Sequence, residues 1–239
     1  MSNVKTRFDV FVEDEGYLKL KNYFYHYLVR KAAIKKEICN GFILDLGCGI
    51  SPMVTNTTKT VFSDVSFNSM KILKKKGYGC VVIDATKIGF KDSVFDTVIC
   101  SEVLEHIEKD VDLTNEARRI LKPGGTFIVT APIHGYYWME DDVFVGHVRR
   151  YELDRLRKIL EAAGLRIVKI KKIGNWLDRL LTYLIVTSFM QKKSKSYSKF
   201  AMGLFKISNR ILYFLVNLLT KITPMSLVSI VLIKSKKVK

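Results

Sequence analysis

The stretch ILDLGCGISP, Ile43 to Pro52, ends an apolar run on an acid and two glycines spaced as Gly-x-Gly. Such a run, leading into a glycine turn, reads as a buried strand entering the loop where an α/β sheet holds a nucleotide-type ligand. The dinucleotide fingerprint asks for a third glycine three residues after the second, and Pro52 stands there. Proline has no backbone N–H and a fixed φ, so it cannot supply the close helix–strand packing of that glycine. A dinucleotide is therefore disfavoured, and the rest of the chain has to identify the ligand.

Composition allows one α/β domain with an appendage. The chain has 239 residues, 48% hydrophobic and 26% charged, which suits a globular core and excludes disorder. Cys39, Cys48, Cys80 and Cys100 are scattered, with no Cys-x-x-Cys pair. Cys80 and Cys100 lie in strand-like runs and are expected as buried free thiols of a reducing compartment. The first 17 residues lack the apolar core of a signal peptide, so a cytoplasmic location is expected. The net charge is +17, and it is unevenly distributed. Residues 166–239 hold 16 Lys/Arg and one acid, Asp178, whereas residues 1–165 carry only +2. The C-terminal part thus calls for an anionic partner, either a membrane surface or nucleic acid.

Working outward from the glycine turn, residues 15–37 predict a helix leading into the domain. Apolar runs at Phe42–Leu46, Thr60–Asp64, Cys80–Asp84, Phe95–Cys100 and Thr126–Thr130 predict strands. Helical patterns at Phe67–Lys76, Val111–Leu121 and Leu153–Ala163 separate several of them. This alternation predicts a doubly wound, mostly parallel sheet with ligands beyond the C-terminal strand ends. Leu165–Lys172 and Leu227–Ile233 add two strands, for seven in all. The helix after the glycine turn should be short or absent, because only 11 residues separate Gly49 from Val61 and "SPMVTNTTKT" is a poor helix former.

Between the last two strands lie "NWLDRLLTYLIVTSFM", the basic spacer "QKKSKSYSK" and "FAMGLFKISNRILYFLVNLLTKI". In the last segment Lys206, Arg210, Tyr213, Asn217 and Lys221 recur at helical spacing, with leucines, isoleucine and phenylalanine over the remaining surface. The charge-free runs 180–190 and 211–220 fall short of the about 20 residues of a spanning helix. An interfacial helix pair on an anionic membrane surface, through residues 174–222, is the expectation. The alternatives are a lid packed on the domain or a dimer interface. The organisation is thus a helical lead-in (1–40), a cofactor-binding core (41–173), an amphipathic insertion (174–225), and a last strand with a basic tail (226–239).

"LDLGCG", "FSDVS", "VIDAT", "FDTVICSEVLEHI" and "RRILKPGGTFIVTAP", in this order, resemble the class I S-adenosylmethionine-dependent methyltransferases over residues 41–172. The resemblance implies a Rossmann-like sheet and S-adenosylmethionine as cofactor. It places Asp45, Gly47, Cys48 and Gly49 at the close-approach turn, and Asp64 with Val65 at the ribose. Asp84 and Ala85 fall at the adenine, and Cys100 and Ser101 beside the methionine part. Glu-x-x-Glu-His at 102–106 is similar to two branches, the ubiquinone-pathway O-methyltransferases and the small-RNA 2′-O-methyltransferases.

Methyl transfer to oxygen needs an aligned lone pair and help with a proton. On a helix starting near Ser101, Glu102, Glu105 and His106 would share one face, and "VGHVRRY" adds His147. These four would suit Mg²⁺, Mn²⁺, Fe²⁺ or Zn²⁺, a ligand set the RNA branch implies. Without a metal, His147, His134 or His106 becomes the candidate base. Tyr136, Tyr137 and Trp138 are candidates to cover the acceptor, and Arg149 and Arg150 to hold an anionic group. His26 reads as structural. The expected activity is O-methylation of a lipid-soluble acceptor, such as a prenylated quinol or phenol or a lipid-linked sugar, by an enzyme peripheral on the inner membrane face. An RNA 2′-O-methyltransferase is the runner-up and a non-catalytic cofactor-binding protein the third reading.

Overall fold

The computed structural model describes residues 20–55, 58–190 and 199–238. Seven strands form one sheet: β1 (Ile43–Leu46), β2 (Thr60–Asp64), β3 (Cys80–Val82), β4 (Phe95–Ser101), β5 (Leu121–Pro132), β6 (Leu165–Lys172) and β7 (Ile230–Lys237). Their order is β3-β2-β1-β4-β5-β7-β6. The first five run parallel, while β7 lies antiparallel between β5 and β6. This is the doubly wound, Rossmann-like seven-stranded sheet that the motif order implies. All four residues of β1 are buried, which accounts for its unbroken Ile-Leu-Asp-Leu run in the middle of the sheet.

Among the described residues, seven α-helices accompany the strands: α1 (Tyr25–Lys35), α2 (Phe67–Lys75), α3 (Asp110–Ile120), α4 (Glu140–Val145), α5 (Leu153–Ala162), α6 (Trp176–Met190) and α7 (Lys199–Ile222). One apolar cluster packs α3 and α5 on one sheet face, through Leu113, Ile120, Leu156 and Leu160. A second packs α1, α2, α6 and α7 on the other, through Tyr25, Ile34, Leu73 and Val216. Local chemistry sets several boundaries. Ser66 caps α2 by accepting from the Ser69 N–H. Asp110 and Asp112 open α3 and Arg118 and Arg119 close it, each matching the helix dipole.

Several expectations shift. The lead-in helix is only α1, preceded by a 3-10 turn at Lys21–Tyr23; residues 15–19 lie outside the described set, as do 191–198 of the basic spacer. The last strand begins three residues later than the apolar run suggests, because Met225–Leu227 form a 3-10 turn after Pro224. Cys80 is half-buried rather than buried, while all four cysteines are free. Between 51 and 55 there is no helix, as the short connection demands.

Candidate active site

A cavity of about 770 Å³ opens at the C-terminal ends of β1, β2 and β4, within the size range of small-molecule sites. Its floor is the turn after β1. Gly47 and Gly49 both have positive φ, at 69° and 53°, where a side chain is disfavoured. A Cβ on Gly47 would also meet Val103 at 2.4 Å. The turn is braced by Asp45, whose Oδ2 accepts from the Met53 N–H at 2.7 Å. Asp45 Oδ1 is buried without a hydrogen-bond partner among the described residues. Burial pushes the Asp45 carboxyl up to about 7, and the backbone N–H groups of Met53 and Val54 only partly oppose this. Asp64 Oδ2 accepts from the Gly49 N–H and Oδ1 from the Ser66 N–H, each at 2.8 Å. Both bonds fix the carboxylate at the cavity wall.

Asp45, Gly47, Cys48, Gly49, Asp64, Val65, Asp84, Ala85 and Ser101 all line the cavity. Cys100 does not: it is fully buried in the core below, because alternate strand residues point to opposite faces. The glycine cradle, the orphan Asp45 oxygen and the ring of acids at the strand ends fit a cofactor carrying hydroxyl and amino donors.

The rest of the lining comes from distant segments. Glu102 sits at φ 54°, which stops a helix from starting there; the segment makes only a 3-10 turn at Leu104–His106. The expected shared helical face therefore does not form. Glu102 Oε2 pairs with Arg30 of α1 at 2.9 Å, and its Oε1 accepts from Thr130 Oγ1 at 2.9 Å. Glu102 is thus separated from the group that could hold a metal: Glu105, His106 and His147, whose ligand atoms lie within 4.8 Å of one another. Glu105 is fully buried, and neither carboxylate oxygen has a hydrogen-bond partner among the described residues. Burial and the neighbouring Glu102 charge push its carboxyl well above the usual carboxylate range.

Both imidazoles are oriented through Nδ1. His147 Nδ1 contacts Asp142 Oδ1 at 2.6 Å, and His106 Nδ1 contacts the Gly146 carbonyl at 3.0 Å. Each bond holds the proton on Nδ1 and leaves Nε2 as the acceptor. His147 Nε2 lies 3.8 Å from Glu105 Oε1. Burial opposes charge on Asp142, but hydrogen bonds from His147 and Arg150 hold its carboxyl down at about 2. Gly146, in the left-handed conformation at φ 81°, ends α4 and turns the chain so that the His147 N–H reaches the Asp142 carbonyl at 2.8 Å.

Asp142 is hidden in the sequence, as is its surrounding network. Arg179 of α6 makes paired 2.7 Å hydrogen bonds to Asp141 and reaches Asp142 at 3.2 Å. Arg150 bonds Asp142 through Nε at 3.0 Å. Arg149 turns away to Asp110, so neither arginine stands ready for an anionic group. His134 does not line the cavity; its Nε2 contacts the Met225 carbonyl at 2.9 Å. Tyr136 and Tyr137 follow it onto the same 3-10 turn, donating to the Ser226 and Leu227 carbonyls. Apolar parts of the cavity lining come instead from Phe24, just before α1, from Phe144 of α4 and from Ile185 and Val186 of α6; Tyr27 lines it from beside the glycine turn, donating to the Pro52 carbonyl at 2.6 Å. His26, which reads as structural in the sequence, also lines it. Burial and the nearby Arg30 and Lys21 charges push His26 down to about 3, so it is neutral at pH 7. The only sequence signal for these residues is the Asp-Asp pair that ends five residues before His147.

Comparison with known proteins agrees with this architecture. Residues 44–129 match a family described as "Methyltransferase domain". An uncharacterized protein of Methanocaldococcus jannaschii is 36% identical over 104 residues, 43% of this chain and 44% of that one. A sterol 24-C-methyltransferase of Kluyveromyces lactis is 27% identical over 186 residues, covering 68% of this chain and 49% of that protein. The chain thus spans about half the length of these curated relatives. A solved SAM-dependent methyltransferase of Thermotoga maritima superposes with a TM-score of 0.66 at 17% identity, over 97% of this chain and 98% of that one.

Proposed function

We propose that this chain, which carries the class I S-adenosylmethionine-dependent methyltransferase fold, methylates an oxygen of a lipid-soluble acceptor. His147 is the base in this reading. The observation that carries it is the Asp142–His147 pair at 2.6 Å, with His147 lining the cavity.

S-adenosylmethionine, when bound, supplies a methyl group on a sulfonium. Asp64 and Asp84 stand where they can accept from ribose hydroxyls and an adenine amino group, and Gly47 and Gly49 let the backbone approach. Arg30, held by Glu102 at the cavity edge, is a cation suited to the amino-acid carboxylate. His147 Nε2 takes the acceptor's proton, while Asp142 holds the Nδ1 proton and stabilises the imidazolium. The apolar lining from α1, α4 and α6 excludes water and favours an acceptor with an aromatic or aliphatic body. A relative whose name makes its acceptor a sterol belongs to the same apolar class. The prenylated phenols that the quinone-pathway resemblance implies belong to it as well.

A second reading rests on the Glu105, His106 and His147 cluster. Two imidazoles already oriented through Nδ1 and a buried carboxylate with both oxygens unpartnered among the described residues are a donor set that fits a divalent cation. These three residues would hold the ion, which would lower the pKa of an acceptor hydroxyl.

The test incubates the full chain with methyl-labelled S-adenosylmethionine and either a total lipid extract or total RNA, with and without chelator. Label extracted into organic solvent, and lost in His147→Ala, is expected. Nuclease-sensitive aqueous label would overturn the lipid acceptor. Loss of transfer on chelation, with recovery on adding Mn²⁺, would favour the metal over the free base.

A further inference from the structure

Helix α7 is anchored to the domain by apolar and polar residues together: Val216 is buried with Leu212 and Tyr213 beside it, and hydrogen bonds fix both ends. Asn209 accepts from the Tyr25 N–H at 2.9 Å through Oδ1. Thr220 Oγ1 accepts from Asn175 Nδ2 at 3.0 Å, and Thr220, Thr223 and Val216 are buried against the domain. Phe205 packs edge-on against Phe24, just before α1, and Lys172 Nζ binds the Thr223 carbonyl at the far end. The helix is therefore tied to the domain along most of its length.

Its outward face is apolar. Leu204, Ile207, Ile211, Phe214, Leu218 and Ile222 recur at intervals of three and four, the spacing of a single helical stripe. Each is between 55% and 80% exposed. The helix thus carries a second apolar face, where the helix of a domain that faces water on all sides is polar. At about 1.5 Å per residue the stripe runs for about 27 Å, well beyond the scattered exposed leucines of an ordinary surface.

Charge identifies what covers it. Residues 199–222 contain Lys199, Lys206, Arg210 and Lys221 and no acid. Arg210 and Lys221 are exposed beside the stripe. A second copy packed stripe to stripe would bring these cations together with no acid from either helix to answer them. A bilayer with anionic headgroups offers an apolar layer for the stripe and negative charge for its edges. Met202–Ile222 is long and apolar enough to cross a membrane by length and composition. Its inward bonds to Tyr25 and Asn175, however, keep it lying on the domain.

We propose that the outward face of α7 docks in the plane of an anionic lipid bilayer, inserting Ile207, Ile211, Phe214 and Leu218. The docking does not depend on what the cavity methylates. Sequence alone indicates a basic, apolar insertion; the structure adds the face that is free.

The experiment mixes the full chain with vesicles of phosphatidylcholine containing about one-third phosphatidylglycerol, in parallel with phosphatidylcholine alone, and measures co-sedimentation. Binding to the anionic vesicles that weakens with salt is expected, with a drop of at least about tenfold in Ile207→Glu/Phe214→Glu. A Phe214→Trp variant, read by the fluorescence of the new indole against the parent's, should shift to shorter wavelength on the same vesicles. S-adenosylmethionine affinity unchanged in the double variant shows that it is folded, whatever the fate of the methyl-transfer reading. The proposal is overturned if the parent protein ignores anionic vesicles, if the double variant binds like the parent, or if emission from the Phe214→Trp variant does not move. A dimer seen by light scattering that the double variant dissolves would overturn it in favour of a second copy.

Discussion

On one side of the cavity, Asp45, Gly47, Gly49, Asp64 and Asp84 come from the ends of three adjacent strands and the loops that follow them. On the other side, Glu105, Asp142, His147 and Arg179 come from a 3-10 turn, α4, the loop after it and α6, and Arg30 of α1 stands between the two. The first wall is made by backbone: two glycines with positive φ and carboxylates bonded to the N–H groups of nearby turns. The second is made by side chains paired with one another, through Arg30–Glu102, Arg150–Asp142 and Arg179–Asp141. A wall of backbone turns at strand ends needs only the sheet to form. The Arg179 pairs form only when α6 has docked, so this part of the wall can change with that insertion while the strand-end turns stay intact.

His147→Ala should give the largest effect, a loss of about 100- to 10,000-fold in methyl transfer, measured as label transferred per minute. If transfer survives, the side-chain wall is not where the proton goes, and neutral His26 becomes the next residue to replace.

Next in size is Arg179→Ala. It leaves Asp141 buried without its paired donors and should cost about 3 kcal/mol of unfolding free energy, read by urea denaturation. Acceptor-dependent activity should fall with it, while cofactor binding persists below the transition. Equal loss of both would mean that the two walls fold as one unit.

Asp64→Ala probes the backbone wall. Charged hydrogen bonds contribute about 1.5–3 kcal/mol each, so S-adenosylmethionine affinity should fall about tenfold to a hundredfold in calorimetry, and the urea midpoint should drop with the lost bonds to the Gly49 and Ser66 N–H groups.

The broadest effect is the pH dependence of stability from Asp45. Its carboxyl sits at about 7 in the folded protein, against about 3.9 in an unfolded chain. Between those values the folded state retains a proton that the unfolded state has released. Stability therefore falls as pH rises through that window. Asp45→Asn should flatten the slope in part, since burial also raises Asp178 and Glu105. An unchanged slope between pH 4 and 7 would show that Asp45 is not the group titrating.

The same contrast separates what is legible in the sequence from what is not. β1, the glycine turn, and Asp64 and Asp84 are legible because short-range patterns specify them: apolar runs, glycine spacing and acids at strand ends. Cys100 misses the cavity by one residue's alternation, since Ser101 reaches it instead. Glu102 departs from expectation because helical spacing fails in a segment that a positive φ makes into a 3-10 turn. His134 follows β5 as a site residue should, yet the turn at Met225–Leu227 takes its ring. Asp142 has only the Asp-Asp pair as a local signal and Arg179 has none: they are brought together by the docking of α6, 37 residues apart. For α7 the sequence specifies the helix and its charge, but not which face packs inward. The three-dimensional partners Tyr25 and Asn175 decide that.

The most direct measurement is a calorimetric titration of His147→Ala with S-adenosylmethionine. Two separable walls require the affinity of the parent protein, with no methyl transferred from the bound cofactor. A loss of affinity as large as that of Asp64→Ala would contradict the division into a cofactor wall and an acceptor wall.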